Sequence, residues 1–336
     1  MKVYGKIGII GLGLIGGSIA IALKDKYEIV GMSRNPDTLS YALENGIINE
    51  TAQSYSDFSQ CEAVIVCTPL AIVRKTVEDL YSTLGDGVII TDVGSVKGML
   101  SGINGRIIGG HPMAGTEQSG IRSAKERLLE NAYYILVDYN GNREDLEFMR
   151  NLVLDMRATP VIMTASEHDR LVAKISHLEH MAAYSIVNSA MTGNEEIVGS
   201  GFMDTTRIAS SSPEFWNTVA QLNRENLTNE MTAYINTLTD LRDKISAGED
   251  VTEILRSAKT KRDALSYKRR YMTEYVLYVD VPDTVGSIVS VLDKLSQSGV
   301  SINNLTVMNS REGVGGALRL EFKDERGYKK AKEILS

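Results

Sequence analysis

Near its start the chain reads KIGIIGLGLIGGSIAIAL, from Lys6 to Leu23. An apolar run of strand character is followed by three spaced glycines and then by an apolar run of helical length. Each glycine answers a separate steric demand. Gly11 allows a tight turn, Gly13 lets backbone approach a pyrophosphate, and Gly16 lets the helix lie close on the sheet. The motif G-x-G-x-x-G carries weight only between a strand and a helix, which is where it stands here. The stretch therefore predicts a Rossmann-type dinucleotide site, with Gly11, Gly13, Leu14, Ile15 and Gly16 against the cofactor.

The end of the second strand selects the cofactor. A carboxylate there accepts hydrogen bonds from the ribose hydroxyls of NAD. In EIVGMSRNPDTL that place is taken by Ser33 and Arg34. A hydroxyl and a guanidinium favour a 2′-phosphate, so NADP is slightly preferred over NAD. Stacking of Arg34 on adenine would leave NAD as the alternative. A third strand, in VIVCTPLAIV, ends at Thr68, Pro69 and Leu70, which the same edge of the sheet would bring to the cofactor.

Strand-like runs at 6–10, 28–32, 63–67, 88–92, 106–109 and 133–138 alternate with helical stretches, the pattern of a doubly wound α/β domain. We place that domain at 1–163. Long helical periodicity takes over from Ser166, so 164–270 reads as an all-α domain whose aliphatic content predicts burial against a second subunit, making the chain a homodimer. Residues 271–336 spell β, α, β, β, α, a small α+β module.

A chain of 336 residues needs more than one core, and 43% hydrophobic residues suffice to fill them. With 36 Lys and Arg against 43 Asp and Glu, the net charge of -7 argues against nucleic-acid binding. Cys61 and Cys67 lie along one strand and cannot pair. No apolar run is long enough for a membrane span, and a cytoplasmic protein is expected.

Four histidines occur, His111, His168, His177 and His180. RIIGGHPMAGTEQSG and VIITDVGSVKG both end strands at the ligand-bearing edge. His111 would thus share a crevice with the nicotinamide, with Ser95 in reach of it or of the substrate. Its glycines and proline read as a loop. His168 and His177 read as surface or packing residues. His177 and His180, three apart, do not make a metal site, because Glu179 points elsewhere and no cysteine is near; no metal is expected.

GLGLIGGS, DVGSVK, HPMAGTEQSG, SHLEH and GFMDTTRIASSSPEFW, taken together and in this order, resemble the prephenate dehydrogenases of the TyrA family over about residues 5 to 270. The resemblance implies oxidative decarboxylation of prephenate, or of its amino analogue arogenate, on the way to tyrosine. It makes His111 the acceptor of the ring-hydroxyl proton, assisted by Ser95. Arg207 would hold the ring carboxylate and Asp204 would orient it, while Ser176, His180, Thr116 and Trp216 would line the pocket. One departure is Glu179, where the family often carries proline; it would alter the helix, repel an acidic substrate or face solvent.

The C-terminal stretch from Tyr275 resembles an ACT domain, which implies a ferredoxin-like βαββαβ unit, here read as truncated before its last strand, and regulation by an amino acid, tyrosine being the natural effector. Two further readings stand beside the leading one: the same scaffold acting on arogenate or an aliphatic hydroxy acid, and a non-catalytic nucleotide and amino-acid sensor.

Overall fold

The computed structural model describes residues 5–335 apart from 116–117, 191–192, 194–196, 270–274, 283 and 312–314. The chain divides into two compact units, Met1–Leu238 and Thr239–Ser336.

The first unit opens with β1 (Lys6–Ile10), α1 (Leu14–Leu23), β2 (Glu28–Met32), α2 (Pro36–Glu44), β3 (Glu50–Thr51), β4 (Ala63–Val66), α3 (Leu70–Leu84), β5 (Ile89–Asp92), β6 (Ile107–Pro112), β7 (Tyr133–Asp138), α4 (Arg143–Asp155) and β8 (Thr159–Ile162). These strands form one eight-stranded sheet in the order β3-β2-β1-β4-β5-β6-β7-β8. β1 pairs parallel with both β2 and β4, so the chain winds away in opposite directions from the gap between β1 and β4. That gap is the topological switch point where ligands of such sheets bind.

Alternation along the strands feeds two cores. Ile7, Ile9, Ala63 and Ile65 point to the face covered by α1, α2 and α4. Ile10, Val64, Val66 and Ile90 point to the other face, where Val73, Val77 and Leu80 of α3 meet them. Full burial of such an aliphatic side chain contributes about 1.5–3 kcal/mol, and both faces being dry explains why β4 reads AVIV with no polar break.

Three features differ from the expected pattern. β7 runs antiparallel to β6, so the sheet is mixed. β3 and β8 add strands that the pattern did not show; β3 has two residues, and β8 contains Pro160, which a strand tolerates at a sheet edge, where β8 lies. The strand of His111 does not end at Gly109. It continues to Pro112, because β7 supplies a ladder that pairs His111 with Ile135 and Pro112 with Tyr134. The glycines before His111 serve close packing rather than a loop: a Cβ on Gly109 would lie 2.8 Å from the Tyr139 hydroxyl, and one on Gly110 would collide with the Asp92 carbonyl oxygen.

From Thr164 the unit is helical: α5 (Ala165–Val172), a π-helical turn (Ala173–His177), α6 (Leu178–Ala190), α7 (Ser200–Thr206), α8 (Pro213–Leu222) and α9 (Arg224–Ser246), whose end passes into the second unit. Thr164 and Glu167 cap α5 reciprocally, the Thr164 hydroxyl accepting from the Glu167 N–H and the Glu167 carboxylate from the Thr164 N–H. Trp216 and Val219 of α8 pack into the α3 face of the sheet's core. No helix among the described residues is long and apolar enough to cross a membrane.

The second unit contains α10 (Thr252–Arg269), β9 (Val276–Val281), α11 (Ser287–Gln297), β10 (Asn304–Arg311), β11 (Gly315–Glu321) and α12 (Glu325–Leu335). β9 to β11 form a small antiparallel sheet in the order β10-β11-β9, over a core that includes Leu295, Leu318, Leu320 and Phe322.

Candidate active site

At the carboxyl edge of the switch point, Gly11 takes φ +95°, and a Cβ there would stand 2.5 Å from the Cys67 carbonyl oxygen. A Cβ on Gly16 would collide with the Gly11 carbonyl oxygen. At Gly13, by contrast, a Cβ would meet open space. Gly13 caps α1 with no side-chain acceptor for the first N–H groups of that helix. Leu14 and Ile15 begin the helix itself. Beyond β4, the buried Thr68 hydroxyl has no hydrogen-bond partner among the described residues, and Pro69 and Leu70 start α3. Free N–H donors, an unpartnered hydroxyl and room above Gly13 fit the pyrophosphate of a dinucleotide. Ser33 and the exposed Arg34 follow β2 on the same edge.

Two strands away, His111 stands one residue before the end of β6. Its Nδ1 lies 2.7 Å from His168 Nε2. His168 Nδ1 in turn lies 2.7 Å from Asp169 Oδ1. The Asp169 carboxylate accepts two backbone bonds at 2.8 Å, from the N–H of Lys97 and that of Gly98. Burial alone would raise the Asp169 carboxyl, but the His168 ring and these two N–H groups outweigh it and hold the pKa below the ordinary value. Asp169 is therefore a charged acceptor. Burial lowers the pKa of His168 and, together with His168 and the Lys97 ammonium, lowers that of His111 well below the usual imidazole range. Both rings are neutral near pH 7.

Lys97 ties the arrangement to the sheet. Its side chain is fully buried, its Nζ lies 2.6 Å from each Asp92 oxygen, and it also donates to the Gly110 carbonyl beside His111. The Gly110 N–H donates to Asp92 Oδ1 at 3.2 Å. Tyr139 donates to the Lys97 carbonyl at 2.7 Å.

The π-helical turn and α6 supply the next wall. His177, fully buried, has its Nδ1 3.2 Å from the Asn223 amide nitrogen, which also donates to the Asp169 carbonyl at 2.8 Å. Burial lowers the His177 pKa to about 4. His180 donates through Nδ1–H to the Ser176 carbonyl at 2.9 Å. The His180 ring stacks on Trp216 with centroids 3.6 Å apart and planes 23° apart. Trp216 also meets His177 edge-on at 5.9 Å. Burial and the nearby Arg207 charge lower the His180 pKa, against the Ser176 carbonyl.

The structure thus brings His180, Ser176 and Trp216 together with Arg207 close by, and sets His111 beside His168 and His177. Asp204 is exposed on α7, one turn before Arg207. Thr116 lies outside the described residues. Ser95 is half-buried in the loop after β5, and the hydrogen bond that His111 makes through Nδ1 goes to His168. His168 and His177 are not surface residues: both are fully buried. His168, Asp169, Lys97 and Asn223 are the site residues that motif reading did not assign. A signal for the first two existed in the chain, an adjacent His-Asp pair inside the first turns of a helix opened by a T-x-x-E capping box.

Comparison with known proteins gives the family. Family models described as prephenate dehydrogenase, nucleotide-binding domain, and prephenate dehydrogenase, dimerization domain, match residues 19–162 and 164–259. The chain is 32% identical to the prephenate dehydrogenase of Bacillus subtilis (strain 168) over 348 residues, covering 97% of this chain and 94% of that protein. The crystal structure of prephenate dehydrogenase from A. aeolicus, in complex with hydroxyphenyl propionate and NAD+, superposes with a TM-score of 0.71 at 30% identity, over 79% of this chain and 98% of that one. Synechocystis arogenate dehydrogenase gives 0.68 at 32% identity, over 77% of this chain and 99% of that one. Two family models over most of the chain, and a relative 32% identical over nearly its whole length, show the family: the chain belongs to the prephenate dehydrogenases.

Proposed function

We propose that the protein oxidatively decarboxylates prephenate to 4-hydroxyphenylpyruvate with hydride transfer to a nicotinamide. The observation that carries this is His111, neutral and half-buried at the carboxyl edge of the sheet beside the dinucleotide cradle, with its Nδ1 hydrogen-bonded to His168. When bound, the nicotinamide supplies the hydride acceptor. The protein's own work is to remove a proton and to hold an acid. His111 Nε2 accepts the ring-hydroxyl proton, assistance worth about 100- to 10,000-fold in rate. Arg207 binds the ring carboxylate through its fork, with Asp204 orienting it. Trp216, His180 and Ser176 line the ring, and Ser95 stands to hydrogen-bond the hydroxyl. Steady-state assays with prephenate and with arogenate, each with NAD and NADP, test this; absence of turnover on both substrates with either cofactor overturns it.

Arogenate is the second reading, supported by the likeness to the Synechocystis enzyme, and the same assay separates the two. NADP is favoured over NAD because Ser33 and Arg34 leave no carboxylate after β2. Two free cysteines, Cys61 and Cys67, suit a reducing cytoplasm. Exposed apolar residues on the helices, among them Ile175, Met203, Ile235 and Leu238, support a homodimer. In the second unit the order β, α, β, β, α supports an ACT-like module, with an open groove of about 440 Å³ at the end of α11 and after it, lined by Leu292, Ser296 and Ile302 among others. Tyrosine is the proposed effector. Titration calorimetry showing no heat with tyrosine, and activity indifferent to it, would remove that part.

A further inference from the structure

We infer that His168 and Asp169 form a proton relay behind His111: they fix which nitrogen of His111 meets the substrate, and they receive the charge that the reaction delivers. The inference rests on the proposed function for the identity of the proton donor, but its first half concerns the protein alone.

Hydrogen-bond inventory decides the tautomers. Asp169 is ionised and can only accept. His168 must therefore donate to it through Nδ1–H across their 2.7 Å. Because neutral His168 carries one hydrogen, its Nε2 is an acceptor. The 2.7 Å contact then requires His111 to donate through Nδ1–H. His111 Nε2 is left with its lone pair free for an incoming hydroxyl. Had the chain of bonds run the other way, the lone pair would face His168 and the site would hold no base.

The same chain solves a charge problem. An imidazolium at His111 would sit in a buried pocket facing the Lys97 ammonium, with His177 beyond it and Asp92 already engaged by Lys97. Passing the charge one step back avoids this. The substrate hydroxyl gives its proton to His111 Nε2 as His111 Nδ1–H gives its proton to His168 Nε2. His111 ends neutral in the other tautomer, and His168 ends as an imidazolium against the Asp169 carboxylate. One proton leaves the substrate and one is gained by the pair, while the electron pair that held it becomes the new ring carbonyl as hydride departs. His168 and Asp169 touch no reacting atom and are positioning residues. Asp169 is itself held by two backbone N–H groups that the Lys97–Asp92 anchor fixes to the sheet.

The decisive measurement needs no substrate. Nitrogen-15 spectra of histidine-labelled protein at neutral pH report the tautomer of each ring; His111 is expected as Nδ1–H, coupled across the hydrogen bond to His168 Nε2. Asp169→Asn, which can donate where Asp169 only accepts, is expected to convert His111 to Nε2–H and to lower kcat by about 100-fold or more. The acid limb of its kcat profile should move to lower pH, since the carboxylate that favours the protonated pair is gone. His168→Gln can donate to Asp169 and accept from His111, so it should keep the His111 tautomer yet lose a comparable factor in kcat, with KM little changed. His111 found as Nε2–H in the parent overturns the relay, as does His168→Gln with parental kcat. Should the parent show the expected tautomer but turn over neither substrate, the reading of the function fails while the hydrogen-bond relay stands.

Discussion

Lys97 and Asp92 form a fully buried ion pair in which one ammonium holds both carboxylate oxygens at 2.6 Å and, through the Gly110 carbonyl, the backbone that carries His111. Burial by itself lowers the Lys97 pKa, and the Asp92 charge and hydrogen bond oppose it. Removing one partner strands the other. Lys97→Met is expected to cost about 3–5 kcal/mol in urea unfolding, whereas Lys97→Met with Asp92→Asn should recover part of it.

The glycines of the cofactor loop should separate fold from binding. Gly13→Ala meets open space and should change stability by no more than about 1 kcal/mol, yet weaken nicotinamide binding at least about tenfold, as read by cofactor fluorescence. Gly16→Ala has the Gly11 carbonyl in its way and should lose about 1–3 kcal/mol of stability as well.

Stability should fall on mild acidification. His177 is held neutral in the fold to about pH 4, against an ordinary value of 6.5. Between those values the unfolded chain binds the proton and the folded chain does not. The fold therefore weakens as pH drops from 6.5 to 4, by roughly 3 kcal/mol at the limit for this group. Urea midpoints at pH 7 and 4.5 should differ less in His177→Gln than in the parent.

Trp216 is the only tryptophan and stacks on His180. A charged imidazole against the indole face should quench its emission. Fluorescence should titrate with a midpoint below 6.5, because burial and Arg207 lower the His180 pKa, and His180→Gln should abolish that step.

Arg34→Asp places a carboxylate after β2. It should shift the ratio of kcat/KM toward NAD by about tenfold or more if the exposed guanidinium is what receives a 2′-phosphate.

The dinucleotide edge was legible because its constraints are local: a turn, a close approach and a helix start lie within a few residues of one another. His111 was legible as a location, but not as a strand residue, since the ladder that extends β6 to Pro112 comes from β7, more than twenty residues on. The relay was less visible still. His168 and Asp169 are neighbours in the chain, yet their partners, His111 and the Lys97 N–H, are brought by other elements. Nothing in the spacing of four histidines announces that two of them share a hydrogen bond. Glu179 proves exposed, in the first turn of α6, where a carboxylate suits the helix N-terminus.

The π-helical turn from Ala173 to His177 gives the site a dependence on chain length rather than on side-chain chemistry. A π turn holds one residue more than the α turn it replaces. Excising a single residue there would let α5 run straight into α6 as one α-helix, with everything beyond the turn close to its present orientation. The side chains inside the turn, not those beyond it, would be redistributed about the helix axis, so the stack of His180 on Trp216 would survive. Among relatives of this protein, a one-residue gap at that turn would therefore mark a change confined to the turn itself.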